Sequence, residues 1–578
     1  GVASGLLSRR LLQNAVREVI HTQDIAGTAQ AFLATIKDLF RSGSDLVKLQ
    51  ENIEPRVQQL GRLALAYQNQ LRRVKRLDAA ELYWQSAADC ERQTYIFYGY
   101  FAPSRDELAL IEAIAGENSV LLLPTRDFYP QNHQALIWLQ SQGWELRSTP
   151  GSDTASLGVQ LQQCWQQTAP LPAGVKLNLF PSLEAEIRGV LTQVKVLQTQ
   201  GVAAQDIVLV TREEQLYGEI LRDIAWEYDV SVQVSYEIPV EQTRLGAWLK
   251  LLLEVIRDSF PFEATAKLLS HPLVKQMPPE IWTKARASHP QGLTAWQDLG
   301  IDLSLLDFQQ RHSREFWVNR LLDILSAWEI LENAKTWARE VVAYYRLQSG
   351  LKELAQSKEQ QLSKRVFSQE ISEILSLMTI PAQPGRGGVE LHCLTSISGT
   401  NYAHVFLLGC AEGILPTAIA DDPLLDFQSR KQLLKQGFPL TTAVDLAAKE
   451  TFDFYSLLGV PTHSITFSYP ELRERNPCLP SPYLSRLGLK PAATGQLPLA
   501  SVEQVRQLYL RQPSLLDSSL IGDRHREKHA RKRETLLIPE ITHALQVESN
   551  RERAIAPDQY DGVISIGIAP QQIVFSAS

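Results

Sequence analysis

The sequence predicts an α/β protein in which parallel β-sheets are interrupted by large helical insertions. Strand, helix and strand follow one another with short links near residues 94–123 and again near residues 176–210, an order typical of a parallel sheet with crossover helices. Apolar residues recur at helical spacing in two long stretches, 6–84 and 244–378. Strands return after the second stretch, which indicates that a sheet domain encloses a helical one.

The first half of the chain supplies two of these α/β patterns. A strand is predicted at residues 94–98, a helix at 105–115 and a strand at 119–123 that stops at Pro124. After a less regular stretch, the second pattern is predicted as a strand at 176–180, a helix at 183–200, a strand at 206–210 and a helix after Arg212.

The second half is predicted to be wholly helical until the 381–388 loop. Strands then follow at 389–394 and 405–408, a helix at 445–458 and a final strand at 464–469. We therefore expect four divisions: residues 1–165 as a first lobe with a helical insert at about 6–90, residues 166–243 with 381–475 as a second lobe, residues 244–380 as its helical insert, and residues 476–578 as a linker and tail.

Length and composition exclude several classes of protein. A chain of 578 residues is too long for one core, and its 44% hydrophobic and 21% charged residues are ordinary for a globular protein. The longest apolar run falls short of the roughly 20 residues that span a bilayer, so we expect no membrane association. The five cysteines are scattered without zinc spacing. We therefore expect a cytoplasmic protein with no metal site in these residues.

A small polar turn after the 389–394 strand is the most informative local feature. Thr395 and Ser396 carry hydroxyl groups that donate well to a DNA phosphate, and Gly399 lets backbone N–H groups approach one closely. A plain turn between two strands explains the same residues, and both interpretations stay open on the sequence.

The order of segments from residue 90 to residue 471 resembles the superfamily 1 DNA helicases. More narrowly, the chain resembles the AddB-like or RecB-type exonuclease family, whose helicase-like body precedes a PD-(D/E)XK nuclease domain. The resemblance implies RecA-like parallel-sheet lobes with large helical insertions, in a UvrD/AddB-like helicase architecture. It also implies a role in DNA double-strand-break repair and recombination.

Three segments depart from the helicase pattern, at four residues. Tyr98 and Gly99 stand where a helicase has Asp-Glu for Mg²⁺ and the attacking water. Ser398 stands where the helicase turn has its lysine, so that only Gly399 matches the Ala-Lys-Gly-x-Glu core, and Val460 takes the place of the arginine finger. These departures imply a site without ATP hydrolysis.

Arg212 matches the helicase motif instead of departing from it. In the family this arginine senses the nucleotide phosphate, and an arginine that caps a strand end is the competing interpretation. No Walker A loop, GxxxxGK[ST], occurs in the sequence, and the family would place it upstream of residue 1. Since the chain also begins without a methionine, we expect it to be truncated at its start.

The tail carries a second set of candidates for DNA contact. Residues 523–534 hold an excess of positive charge, which favours either a solvated helix or a strip that contacts phosphates. The basic candidates are Arg524, Arg526, Arg531, Lys532 and Arg533.

The last residues, 573–578, resemble the lead into the AddB nuclease domain, so we expect truncation there too. The resemblance implies Mg²⁺ and a 4Fe–4S cluster in that nuclease domain and no cofactor in this chain.

The function favoured by these patterns is that of a motor-inactive helicase-like module that binds DNA. The resemblance implies double-strand ends and single strands as ligands and an AddA-like helicase–nuclease subunit as partner. No residue is assigned a catalytic role, and we expect neither ATPase nor nuclease activity from these residues alone. Two alternatives remain: an active ATP-dependent helicase whose Walker A loop lies upstream, and a protein-interaction scaffold that does not bind DNA.

Overall fold

The computed structural model describes most of the chain as far as residue 491 and short pieces beyond it. The described residues are 1–147, 156–167, 169–308, 311–355, 361–385, 387–422, 424–491, 498–501, 503–504, 543–544 and 547–551. The five basic candidates of the tail, Arg524, Arg526, Arg531, Lys532 and Arg533, lie outside these residues.

Two compact units make up the chain. The first comprises Gly1–Ile187, Ala203–Leu221 and Ser231–Thr494, and the second comprises Arg188–Val202, Arg222–Val230 and Gly495–Ser578. In the second unit Arg188 forms a bidentate ion pair with Glu227, with N–O distances of 2.6 and 3.2 Å. The strands of every sheet described below belong to the first unit.

Five helices open the first unit, in agreement with the predicted helical stretch. Their starts follow local capping chemistry: the side chain of Ser4 accepts from the Leu7 backbone N–H at 3.1 Å, and that of Asp24 accepts from Gly27 at 2.8 Å. The apolar faces of the first four share one core, in which Leu12 and Tyr67 are buried. The helices are α1 (Gly5–Val19), α2 (Ile25–Ser42), α3 (Leu46–Gln50), α4 (Pro55–Arg73) and α5 (Leu82–Asp89).

A small parallel sheet follows, as predicted. Ile96 pairs with Val120 and Phe97 with Leu121, and the helix between the two strands begins at a capping box of Ser104 and Glu107. The elements are β1 (Ile96–Phe97), α6 (Arg105–Ile114), β2 (Val120–Leu121), α7 (Pro130–Ser141) and α8 (Leu157–Gln166).

The central sheet has six parallel strands in the order β3-β12-β11-β4-β10-β5, and β13 pairs antiparallel with the end of β12. All five residues of β4 are buried, as expected for a strand with neighbours on both sides and covered faces. The predicted strands at 176–180, 206–210, 389–394, 405–408 and 464–469 are confirmed. The elements are β3 (Val175–Ser182), α9 (Leu183–Thr199), β4 (Ile207–Thr211), α10 (Glu214–Ile224), β5 (Val232–Val234), β10 (Val389–Cys393), β11 (Tyr402–Leu408), α19 (Phe427–Lys435), α20 (Ala443–Leu458), β12 (Pro461–Arg473), β13 (Asn476–Pro477) and α21 (Pro482–Arg486).

Between β5 and β10 lies a mostly helical segment that corrects one prediction. The stretch 244–378 is not wholly helical, because the short antiparallel pair of β7 with β8 lies within it. A second short pair, β6 with β9, lies at its neck, just outside that stretch. Strands of two or three residues are too short to alter an apolar periodicity. The elements are β6 (Glu237–Pro239), α11 (Arg244–Arg257), α12 (Phe262–Leu269), α13 (Pro279–Ser288), α14 (Leu293–Gln297), β7 (Arg311–His312), α15 (Arg314–Ala327), α16 (Ile330–Ala334), α17 (Ala338–Ala355), β8 (Leu362–Ser363), α18 (Lys364–Leu377) and β9 (Thr379–Pro381).

The architecture is α/β with a parallel central sheet and many helices, which is consistent with a RecA-like helicase architecture. Within the described residues, no helix combines the length and the apolar character needed to span a bilayer.

Candidate functional site

Two segments that the sequence singled out leave the central sheet side by side. Strands β4 and β10 are parallel neighbours, and Thr211 at the end of β4 pairs with Cys393 at the end of β10. Arg212 and the turn of residues 394–401 therefore emerge at the same edge, which we call the carboxyl edge of the central sheet. Ligands of parallel α/β sheets bind at this edge.

Arg212 is neutralised at this edge by an acid from α20. Its Nη2 donates to Glu450 Oε2 at 3.0 Å, and its Nε donates to Thr417 Oγ1 at 2.8 Å. The backbone N–H of Thr417 donates in turn to Glu450 Oε1 at 3.2 Å. The side chain of Glu450 is 11% exposed and that of Arg212 is 27% exposed, so the carboxylate is largely desolvated and the guanidinium is half-buried. These contacts favour the interpretation of Arg212 as a structural residue that ties the strand end to α20.

The next turn of α20 adds a second buried acid beside this pair. Burial raises the pKa of Asp453, and the ammonium group of Lys449 opposes that shift from 3.0 Å. Glu450 raises the same pKa further, whereas Arg212 lowers it. The charges near Arg212 are therefore balanced within the protein, and an incoming phosphate would have to displace Glu450.

The turn after β10 closes on itself through its hydroxyl groups. Ser396 donates to the carbonyl oxygen of Cys393 at 2.9 Å, and Thr400 donates to that of Ile397 at 2.6 Å. Thr395 and Ser396 are exposed, and Thr395 lies 3.5 Å from the sulfur of Cys393. The turn is open to solvent, but the Ser396 hydroxyl proton is already engaged with backbone.

Gly399 brings the turn against the small sheet. Its φ of +77° is in the left-handed region, and a Cβ there would lie 2.4 Å from the ring of Phe101 and 2.9 Å from the hydroxyl oxygen of Tyr98. The Tyr98 hydroxyl donates to the Gly399 carbonyl oxygen at 2.7 Å, and the rings of Tyr98 and Phe101 meet edge to face with centroids 5.2 Å apart. A side chain at position 399 is therefore excluded by aromatic packing.

The remaining candidates lie around this contact or away from it. Gly99 has a φ of +94° with open space around it, and Ser398 is half-buried within the turn. In the part of the chain that the structure describes, no group of three or more His, Cys, Asp or Glu side chains is arranged to hold a metal ion.

Val460 lies at the opposite edge of the central sheet. His404 pairs with both Ile207 and Ser464, and Tyr402 pairs with Pro461 across a register shift. Arg212 therefore lies five residues beyond the level of His404, and Val460 lies about three residues before it. At about 3.3 Å per residue, the two positions are roughly 25 Å apart along the strands. Val460 is 1% exposed and packs in the core beneath the sheet. The structure does not bring Val460 and Arg212 together.

Glu186 is a buried acid that the sequence interpretation missed. It is fully buried and accepts three hydrogen bonds, from Gly409 N–H at 2.9 Å, Ser468 Oγ at 2.6 Å and Tyr217 OH at 2.8 Å. Burial raises its pKa, and these hydrogen bonds lower it in part. The available signal was its place on the apolar stripe of α9, three residues after Leu183.

No family model matches the sequence. The chain is similar over about half of its length to two curated proteins, each named as an ATP-dependent helicase/deoxyribonuclease subunit of the B type. The one from Pelotomaculum thermopropionicum is 22% identical over 374 residues, which are 54% of this chain and 32% of that protein. The one from Desulforamulus reducens is 20% identical over 383 residues, which are 56% of this chain and 33% of that protein. The matches span about a third of the length of these relatives.

Proposed function

We propose that this chain is a motor-inactive, helicase-like DNA-binding module of an AddB-type helicase–nuclease that acts in double-strand-break repair and recombination. The observation that carries the proposal is the Arg212–Glu450 pair, because it commits the one arginine retained from the helicase pattern to a contact within the protein. The names of the two relatives support the same class.

The other positions support a loss of motor chemistry on chemical grounds. Tyr98 donates its hydroxyl proton to Gly399, and a neutral phenol does not replace the carboxylates that hold Mg²⁺. Val460 is buried at the opposite edge of the sheet from Arg212, so it places no charge beside Arg212 that could stabilise a transferring phosphoryl group. An active helicase is therefore the weaker proposal.

The division of labour follows from these losses. We propose that the module holds double-strand ends and single strands and works with a separate AddA-like motor subunit, since each relative is named as one subunit of a helicase and deoxyribonuclease. We further propose the four divisions 1–165, 166–243 with 381–475, 244–380 and 476–578 as its domains. The nuclease Mg²⁺ and a 4Fe–4S cluster would belong to a nuclease domain, because the scattered cysteines described here do not fit a cluster.

Binding and turnover by the full-length protein test the proposal together. We expect salt-dependent binding of single-stranded and double-ended DNA, measured by fluorescence anisotropy, without DNA-stimulated ATP hydrolysis. Arg212→Ala should leave DNA binding and the absence of ATP hydrolysis unchanged. The matched control is Arg473→Ala, which removes an arginine at the end of β12 that pairs with Glu213, and it should have the same result.

The contrary outcomes separate the alternatives. DNA-stimulated hydrolysis that Arg212→Ala abolishes and Arg473→Ala preserves would establish an active helicase. A protein that binds no DNA even at low salt would be a scaffold.

A further inference from the structure

Two helices of the segment between β6 and β9 turn polar faces toward a shared groove. On α11 the groove is lined by Lys250, Leu253, Glu254 and Arg257, which are spaced i, i+3, i+4 and i+7 and therefore form one stripe along the helix. The apolar face of α11, with Leu245, Leu249 and Leu252, is buried, so this stripe lies on the polar face of the helix. Here Leu253 alone is apolar.

The facing stripe on α18 repeats the spacing with different chemistry. Arg365, Ser368, Gln369 and Ser372 line the groove, again at i, i+3, i+4 and i+7. The two helices contact each other, and the groove between their stripes has a volume of about 460 Å³. Three cations and three neutral hydrogen-bonding side chains therefore face one space.

The charge balance of the groove favours an anion. Glu254 is the one acid that lines it, against Lys250, Arg257 and Arg365. Lys250 and Arg257 have acidic neighbours outside the lining, Glu241 at 2.9 Å and Asp258 at 2.7 Å.

These pairs are at the surface, where water and salt screen an ion pair and it contributes little. A bound phosphate can therefore replace Glu241 and Asp258 as the partner of Lys250 and Arg257. Among the described residues, Arg365 has no ion-pair partner.

We propose that this groove binds the phosphates of a single-stranded nucleic acid. The inference rests on the proposed DNA-binding function and assigns part of it to α11 and α18. Arginine and lysine supply the charge, and the serine and glutamine side chains donate to phosphate oxygens as they commonly do in nucleic-acid complexes. The groove runs between two helices in contact, and a flexible single strand can follow it more closely than a duplex, whose persistence length is about 150 bp.

The salt dependence of binding tests the groove. For single strands, log K falls with log salt by about 0.7 for each phosphate contact. The full-length protein is titrated against a labelled oligothymidine at several KCl concentrations, with the triple variant Lys250→Ala, Arg257→Ala, Arg365→Ala beside it. We expect the slope of the variant to be shallower by about 2. Circular dichroism checks that the variant is folded.

The matched control removes cations from the same helical segment but not from the groove. Lys284 and Arg286 are exposed on α13 and do not line the groove. Lys284→Ala with Arg286→Ala should therefore leave the slope unchanged. A slope that falls equally in both variants would reflect general surface charge and would overturn the groove assignment.

Further outcomes separate the groove from the proposed function. If the wild-type protein binds no oligothymidine, the DNA-binding function fails. If it binds and the triple variant has the wild-type slope, the function stands and the groove is not the site. Calorimetry with inorganic phosphate at constant ionic strength forms the last arm. In one outcome the triple variant loses phosphate binding while its salt-dependence slope for oligothymidine equals that of the wild type. That result would assign the groove to free phosphate and contradict the proposal that it binds a nucleic-acid strand.

Discussion

The hydroxyl group of Tyr98 donates a hydrogen bond to the carbonyl oxygen of Gly399 at 2.7 Å, although 301 positions separate the two residues in the chain. The contact joins the end of β1 to the turn after β10. The resemblance to helicases implies that these two positions serve a nucleotide, whereas in this structure they contact each other. The glycine that the turn shares with the helicase pattern is therefore explained by packing.

Gly399→Ala should destabilise the protein through both backbone and packing. Alanine in the left-handed region costs about 1 kcal/mol, and overpacking against the Phe101 ring adds about 1–3 kcal/mol. Gly437→Ala is the control, because Gly437 has a φ of +91° with no atom within 4 Å of the added Cβ. The melting temperature of Gly437→Ala should therefore be higher than that of Gly399→Ala. Equal melting temperatures would refute the aromatic contact.

The same contact predicts a rescue. Phe101→Ala removes the ring that an alanine at position 399 would strike, so the double variant should lose less stability than the sum of the two single variants. Additive losses would show that Phe101 does not limit the space at Gly399.

Arg212 and Glu450 should be energetically coupled. Removing Arg212 leaves Glu450 largely buried and uncompensated, whereas removing Glu450 leaves a half-buried arginine. Arg212→Ala should therefore lose about 2–3 kcal/mol and Glu450→Ala about 1–2 kcal/mol, with a coupling energy of about 1–2 kcal/mol in the double variant. The Arg473–Glu213 pair is more exposed, at 29% for each side chain, and should couple by less than about 1 kcal/mol. Chemical denaturation measures both cycles, and a larger coupling in the second pair would contradict the burial argument.

Glu186 predicts a specific pH dependence of stability. Its pKa is raised in the folded protein above the ordinary value of 4.5, so the folded state keeps the proton longer than the unfolded state does. Its contribution to stability is full below pH 4.5 and is lost as the pH rises through the folded pKa. Glu186→Gln cannot lose a proton, so its unfolding free energy relative to wild type should increase with pH above 4.5.

A second variant at position 186 separates the effect of the charge from that of the hydrogen bonds. Glu186→Ala removes the acceptor of Gly409, Ser468 and Tyr217 and should cost about 3 kcal/mol or more at every pH. A Gln variant whose difference from wild type does not change between pH 5 and pH 8 would contradict the raised pKa.

Val460→Arg should not restore a motor. The position is buried among apolar side chains at the amino edge of the sheet, so an unpaired arginine there should cost several kcal/mol and prevent folding. Val460→Ala should cost only about 2 kcal/mol and stay folded. Expression and thermal unfolding compare the two. A folded arginine variant that gains DNA-stimulated ATP hydrolysis would show that Val460 faces a working nucleotide site.

Local patterns predicted the strands, because runs such as 207–210 are uniformly apolar and bounded by polar residues. They also located Arg212 and the turn at Gly399. They did not predict that Arg212 meets Glu450, which lies 238 positions further along the chain. Such a pairing depends on which strands become neighbours, and no local periodicity records that order. Glu186 was missed for a related reason, since its three donors come from three separate elements.

The neck formed by β6 and β9 determines how the helical segment is attached to the central sheet. Glu237 faces Pro381 across this antiparallel pair, so the chain leaves the sheet and comes back within about 5 Å, the spacing of paired strands. A tight hairpin would bridge the same gap. The helical segment is therefore attached through two strands that lie side by side. Replacing the segment with a short turn should leave the pairing of β5 with β10 in register.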